Sequence, residues 1–353
     1  MILFRCNAGP DVGFGHLMRC RALARALSER GEVCVMVGPA NEYAKDGDNE
    51  VFREWIEIGE WRSSGEDAGQ LLSLARERGA NAAVLDDYRV DEVYQLLLWE
   101  RGLRWLQFDG TARAPIWAEW ILNSSPTART EDYQKVKRNP QAIELLGPRY
   151  AILRAEFQEI EARACHRSLQ RVLITFGGGD DRGAIEFVLS SLVNRTESQI
   201  DFLVVSGKAN PRNTDLVQWV ETNCGDRVTI EIDPPDVARL FASCDLAIMG
   251  SGSSVFEVAC CQVPMILIAI ADNQIRHGAA WGESGAAIFL GDLGNTDQAS
   301  LLRSFNLLYE SGQMREEFCA TARSMCDGMG ATRVADAILN KPKQSGVSWN
   351  TSN

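Results

Sequence analysis

Few residues in this chain are equipped to carry chemistry. Its 353 residues include three histidines, His16, His166 and His277. Only His16 follows directly on a glycine-rich turn, in the stretch DVGFGHLMRCRALARAL from Asp11 to Leu27. Gly13 and Gly15 flank Phe14, and apolar residues then recur near every third or fourth place. That pattern reads as a loop opening a helix, with His16 in its first turn. Such a turn suits anions, because free backbone N–H groups and the positive end of the helix dipole meet there. Two readings of His16 are open: the ring caps or packs against the loop, or it acts as general base on a substrate whose phosphates bind close by. A dinucleotide fingerprint would need a third glycine where Met18 stands and an acid where the second strand ends in Val37-Gly38. No nicotinamide cofactor is therefore expected, and no Walker pattern is present.

Other loops carry the same kind of signal. Gly250-Ser251-Gly252-Ser253-Ser254 lies between an apolar run and a helical pattern, a second phosphate-cradle arrangement. Ser254 to Glu257 fits a capping box, in which the glutamate returns to its own helix start. The alternative is that Glu257 accepts hydrogen bonds from a ribose diol, and spacing alone favours the cap. Gly177-Gly178-Gly179 after VLITF reads equally as a tight turn or as a place where a ligand approaches backbone. Asn273 and Gln274 follow the run MILIAI; their amides match sugar hydroxyls, or they simply start the next helix. Asp86, Asp87 and Tyr88 end a strand, and Asp109 ends another. Asp86 could cap the next helix and Tyr88 could pack, or both could serve the same sheet edge as His16.

The elements that must position these residues alternate short apolar runs with helical periods. MILFRC, EVCVMVG, AAVLDD, RWLQFD and WILNSS are the expected strands of the first half. RVLITFGGG, IDFLVVSG, RVTIEI, LAIMG, MILIAI and AAIFLG are those of the second. Helices are expected at 16–30, 67–78 and 91–101, each stopped by a glycine: Gly31, Gly79 and Gly102. The alternation predicts parallel strands with covering helices, in two Rossmann-like domains at 1–157 and 168–341 with a disordered tail at 342–353. A helix within 315–340 is a candidate to pack back across the boundary. Ligands of such sheets bind at the carboxyl ends of the strands, which makes the space between facing domains the expected site.

Composition sets the outer limits. A formal net charge of −12 argues against nucleic acid, whose phosphates need a basic face. The apolar runs are too short to span a bilayer, and MILFRC does not resemble a signal peptide, so a cytoplasmic location is expected. The ten cysteines show no CxxC or Cys/His zinc spacing. They are expected to be reduced and buried, with no structural metal.

Together these pieces resemble a known family. FRCNAGPDVGFGHLMRC, LDDY, LLGPRYAILRAEF, VLITFGGGD, LFASCDLAIMGSGSSVFEVACCQVP and DNQ occur in the order seen in the UDP-2,4-diacetamido-2,4,6-trideoxy-β-L-altropyranose hydrolases of pseudaminic acid biosynthesis. More distantly the chain is similar to the GT-B glycosyltransferases that transfer N-acetylglucosamine to lipid-linked muramyl peptides. The resemblance implies a GT-B fold and metal-independent, inverting hydrolysis of a UDP-sugar, with no cofactor. It also implies His16 as the base for water and Tyr88 in the sugar pocket. Ser253, Ser254 and Glu257 would lie on the diphosphate and ribose, and Asn273 and Gln274 on the sugar nucleotide. Under it the ribose role of Glu257 overtakes the capping box. Gly13, Gly15, Asp86, Gly178 and Gly252 complete the expected site. The chain departs from the family at Asn7, usually aspartate, at Asp87, usually histidine, and at Gly110, usually a second acid. Loss of a charge at Asn7 removes a group that could orient His16.

Overall fold

The computed structural model describes residues 1–9, 12–160 and 168–340. Cys165, His166 and the tail expected at 342–353 lie outside them. The chain divides into two compact units, one built from Met1–Arg154 together with the segment from Met329 onward, the other from Ala155–Gly328.

In the first unit β1 (Ile2–Cys6), α1 (Gly15–Ser28), β2 (Cys34–Gly38), α2 (Asp48–Val51), β3 (Glu54–Glu57), α3 (Ser64–Arg78), β4 (Ala82–Asp86) and α4 (Glu92–Glu100) come first. They are followed by β5 (Arg104–Phe108), β6 (Trp120–Asn123), α5 (Thr130–Val136) and β7 (Ile143–Leu146). Seven parallel strands form one sheet in the order β3-β2-β1-β4-β5-β6-β7. Side chains alternate across it. Ile2, Phe4 and Cys6 of β1 and Ala82 and Val84 of β4 enter the core beneath α1. Leu3, Ala83 and Leu85 enter the opposite core, beneath α3 and α4. All five strands expected in this half are present. β3 and β7 were not expected; each is a four-residue edge strand, and so short a run carries little periodicity of its own. The three expected glycine stops have positive φ, Gly79 forming the left-handed cap of α3.

The second unit holds β8 (Arg171–Thr175), α6 (Ala184–Leu192), β9 (Asp201–Ser206), α7 (Asn213–Asn223), β10 (Val228–Ile232), α8 (Val237–Ala242) and β11 (Leu246–Gly250). It continues with α9 (Ser254–Cys260), β12 (Met265–Ala269), α10 (Asp272–Glu283), β13 (Ala287–Asp292), α11 (Gln298–Glu310) and α12 (Gly312–Met325). Its six strands are the six expected, in the order β10-β9-β8-β11-β12-β13. Among the described residues no helix is long and apolar enough to cross a membrane.

The last helix, α13 (Gly330–Asn340), corrects the expected boundary at 341. It belongs to the first unit, where Ala331, Val334, Ala335 and Ile338 complete the core beneath α1. Burying Val334 and Ile338 is worth about 1.5–3 kcal/mol each. The Trp120 indole donates to the Ala337 carbonyl at 3.0 Å, and Arg30 pairs with Asp336 at 2.8 Å. The helix approaches so closely that a Cβ on Gly330 would overlap the Ala151 carbonyl. Gly330→Ala is therefore expected to destabilise the protein by about 1–3 kcal/mol through overpacking. An unchanged urea midpoint would contradict this account of the docking.

Candidate active site

In each sheet the chain leaves two neighbouring central strands in opposite directions, β1 and β4 in the first unit and β8 and β11 in the second. Their loops diverge at the carboxyl edge and leave room for a ligand there. The functional candidates of each unit lie at these two points.

In the first unit, β1 pairs in parallel with β4 from Ile2↔Ala82 to Cys6↔Asp86. Alternation turns the consecutive Asp86 and Asp87 to opposite faces of the sheet. Asp86 faces α1. His16, Arg19, Cys20 and Leu23 lie three to four residues apart on that helix and share its inward stripe, so its first turn meets the end of β4. His16 Nδ1 lies 2.6 Å from Asp86 Oδ1. Arg19 binds both carboxylate oxygens at 3.0 Å, through Nε and Nη2, and its guanidinium covers the Phe108 ring at 5.3 Å. His16 is 4% exposed and Asp86 2%. Burial pushes the Asp86 carboxyl up, but the Arg19 charge and the hydrogen bonds from His16 and Arg19 outweigh it and hold the group below its ordinary value. Since Asp86 is an acceptor, His16 donates from Nδ1; in the neutral ring Nε2 is then the acceptor.

Asp87 faces the other way. It takes a two-point ion pair from Arg89 at 2.9 and 2.6 Å and lies 3.7 Å from Arg5. Arg5 is itself buried against Asp67, at 3.0 and 2.7 Å. Arg89 also lies 4.4 Å above the Trp61 ring. This cluster braces the turn after β4, which carries Tyr88 outward. The Tyr88 ring is 85% exposed and stands edge-on to His16, with centroids 4.7 Å apart. Asp109, at the end of β5, is spent on its own turn and on Tyr133: it accepts from the Ala112 amide at 2.7 Å and from the Tyr133 hydroxyl at 2.6 Å.

One amide of the glycine-rich loop is used internally. The Gly13 amide donates to the Gly9 carbonyl at 2.7 Å, closing the turn on itself. Among the described residues nothing lies within 4 Å of a Cβ built on Gly13 or Gly15, and Phe14 is 40% exposed. A recess of about 520 Å³ is lined by residues 44–49 and 52–55. Those residues precede and open β3, at the sheet's amino edge, and include none of the site candidates.

In the second unit, Ser251 is fully buried and its hydroxyl donates to the Gln274 carbonyl at 3.0 Å. This ties the serine loop to α10. The Gln274 side-chain oxygen accepts from the Ile270 amide at 3.1 Å, and its amide nitrogen faces Gly252. Asn273 and Gln274 do start a helix, with Asn273 exposed on the first turn. Ser253 is the N-cap of α9 and makes no side-chain cap bond; Ser254 is the first helical residue, so the capping box at Ser254–Glu257 is out of register. Ser253 is exposed, Ser254 and Glu257 half-buried. Gly178 backs onto Gly207, where a Cβ would collide with Gly178 backbone, so the third glycine loop serves a close approach of two loops. His277 is held on both sides: Nδ1 donates to the Ser251 carbonyl at 2.8 Å and Nε2 accepts from the Trp281 indole at 3.2 Å. Burial pushes its pKa down, against the raising effect of the Ser251 bond.

The sequence reading missed Arg19, although its i+3 spacing from His16 on one helix face was a usable signal. It also missed the Arg5–Asp67 pair, because the residues are far apart in the chain and nothing local joins them. Among the described residues, no three His, Cys, Asp or Glu side chains converge as a metal site would need. Eight cysteines, including Cys6 and Cys20, are buried; Cys319 is disulfide-bonded, which corrects the expectation that the cysteines are all reduced.

No protein-family model matches the chain. It is 24% identical over 352 residues to the spore coat polysaccharide biosynthesis protein SpsG of Bacillus subtilis, covering 94% of this chain and 96% of that one. It is 23% identical over 282 residues to the UDP-2,4-diacetamido-2,4,6-trideoxy-β-L-altropyranose hydrolase of Campylobacter jejuni, covering 79% of this chain and 95% of the relative. The solved structure of Acinetobacter baumannii MurG matches with a TM-score of 0.69 at 16% identity, over 96% of this chain and 99% of that one. The fold is that of the GT-B class. Two parallel-sheet Rossmann-type domains, of seven and six strands, make it up.

The Asp86 pairing has a pH signature. Because its carboxylate form is favoured in the folded state, the stabilisation is present above the unfolded-chain pKa of about 3.9 and is lost as pH falls through the lower folded value. Asp86→Asn is expected to lose about 2–3 kcal/mol at pH 7, and the gap from the unsubstituted protein should close on acidification below about pH 4. Denaturant titrations at several pH values would show it; a gap independent of pH would not fit.

Proposed function

We propose that this protein hydrolyses a UDP-linked 2,4-diacetamido-2,4,6-trideoxy sugar of the β-L-altropyranose type to UDP and the free sugar. The observation that carries this reading is His16, oriented through Nδ1 by a buried aspartate at the strand-crossover point of its sheet, with Nε2 left as acceptor. Supporting it is similarity to the Campylobacter jejuni hydrolase along nearly the whole of that relative. In the proposed reaction, Nε2 takes a proton from water as its oxygen bonds to the anomeric carbon. The bond from that carbon to the diphosphate oxygen breaks, its electron pair leaves with UDP, and the configuration inverts. The proton returns from His16 to solvent.

Asp86 orients the base, and Tyr88 offers the sugar an exposed aromatic face beside it. In the second unit, Gly178, Gly252, Ser253, Ser254 and Glu257 are assigned to the diphosphate and ribose, with Asn273 and Gln274 on the sugar nucleotide. Backbone N–H groups of the serine loop would meet charge developing on the leaving diphosphate. The scheme uses no cofactor or metal.

A second reading is transfer of the sugar to an acceptor hydroxyl, which the same base would deprotonate. The open surroundings of Gly13, Gly15 and Tyr88 favour it, because they leave room for a larger nucleophile. Incubating the full chain with the UDP-sugar and no acceptor distinguishes the two. Hydrolysis predicts stoichiometric UDP and free sugar, with kcat reduced about 10²–10⁴-fold in His16→Ala. Turnover only on adding an acceptor would replace hydrolysis by transfer. Binding without turnover under either condition would sink both.

A further inference from the structure

We propose that Arg19 is a positioning residue that keeps His16 available as a base by supplying the countercharge of Asp86. Its catalytic consequence rests on the hydrolase reading; the effect on the ring itself does not. The carboxylate is 98% removed from solvent, since Asp86 is only 2% exposed, and a buried carboxylate must find a positive partner or give up its charge. Among the described residues, two groups bind it. Arg19 takes both oxygens, and His16 takes Oδ1. With the guanidinium in place, the charge is matched and His16 need contribute only a neutral Nδ1–H. Without it, the cheapest countercharge left is a second proton on the imidazole. That proton would occupy Nε2, the atom the reaction needs.

Among the described residues, the surroundings leave this balance to Arg19. Facing His16 and its carboxylate are Arg19 and Cys20 from α1, Cys6 from β1, and Tyr88 from the turn after β4. Burial pushes the Cys20 thiol up, so it brings no countercharge. The acids facing α1 from its other neighbours are already taken: Asp48 of α2 by Arg21 and Asp336 of α13 by Arg30. Nη2 of Arg19 also lies 3.2 Å from His16 Nδ1, so the cation stands directly against the ring it would keep unprotonated. Phe108 beneath the guanidinium holds the planar group in place.

The test is a pH titration of ¹⁵N-histidine-labelled full-length protein by NMR, with the His16 signals assigned by their absence in His16→Ala. In Arg19→Gln the His16 midpoint is expected to rise by at least about one pH unit, a tenfold gain in imidazolium at a given pH. Arg19→Lys, which keeps the charge but loses the two-point grip, should rise by less. The double variant Arg19→Gln/Asp86→Asn, which has no buried charge to match, should lose the rise. Circular dichroism checks that each variant is folded; if Arg19→Gln is not, the Lys and double variants decide. A midpoint unmoved or lowered in folded Arg19 variants would overturn the proposal, as would a rise that persists in the double variant. UDP release then reads the catalytic consequence: kcat of Arg19→Gln should fall at pH 7 and recover toward alkaline pH. A loss confined to KM, with the ring unaltered, would instead make Arg19 a substrate contact. Absence of UDP release from the unsubstituted protein would count against the hydrolase reading alone, since the NMR result does not depend on turnover.

Discussion

A single buried carboxylate organises the first unit's functional edge. Taking Asp86 out of water costs several kcal/mol unless it is paired and hydrogen-bonded, and the partners it takes are His16 and Arg19. His16 stands on the first turn of α1 and Arg19 opens the second, so the demand for pairing fixes how that helix begins relative to the end of β4. The apolar stripe below them, Leu17, Cys20, Leu23, Ala24 and Leu27, fixes the rest of the helix. Packing and electrostatics thus agree on one placement of the imidazole, with one nitrogen occupied and the other available.

The neighbouring aspartate shows how little sequence distance says about role. Asp86 and Asp87 are adjacent, yet the strand's two-residue period sends them to opposite sides of the sheet. One joins the candidate catalytic group; the other, with Arg89, Arg5 and Trp61, stiffens the turn that holds Tyr88 over His16. Asp87, where the hydrolases that the sequence resembles usually carry histidine, therefore falls on the face turned away from the imidazole. The corresponding edge of the second unit is tied together by hydrogen bonds around the serine loop. Ser251, Gln274 and His277 lock the serine loop to α10, leaving Ser253 exposed at the start of α9.

Much of the fold was legible because it depends on local periodicity. Eleven apolar runs became strands, and the glycine stops fell where left-handed caps terminate helices. What escaped has a common cause. β3 and β7 are short edge strands whose identity comes from the neighbour they pair with. α13 is legible as a helix able to pack back across the boundary, but nothing in its own residues says which side chains it meets. The N-cap of α9 is Ser253 rather than Ser254, a one-residue shift that spacing cannot detect. Gln274 and Asp109, plausible ligand contacts by type, are largely consumed in holding their own turns.

The sequence by itself determined the alternating α/β pattern, the two sheets and the glycine-led entry into α1 that makes His16 conspicuous. These follow from side-chain period and backbone preference, which act over a few residues. Only the tertiary structure decided that Asp86 orients His16, that Arg19 balances Asp86, that Asp87 belongs to a different cluster, and that the last helix returns to the first unit. Each of those is a choice among partners distant in the chain. It is made by burial: a charged or apolar group withdrawn from water must be matched by whatever the fold brings to it.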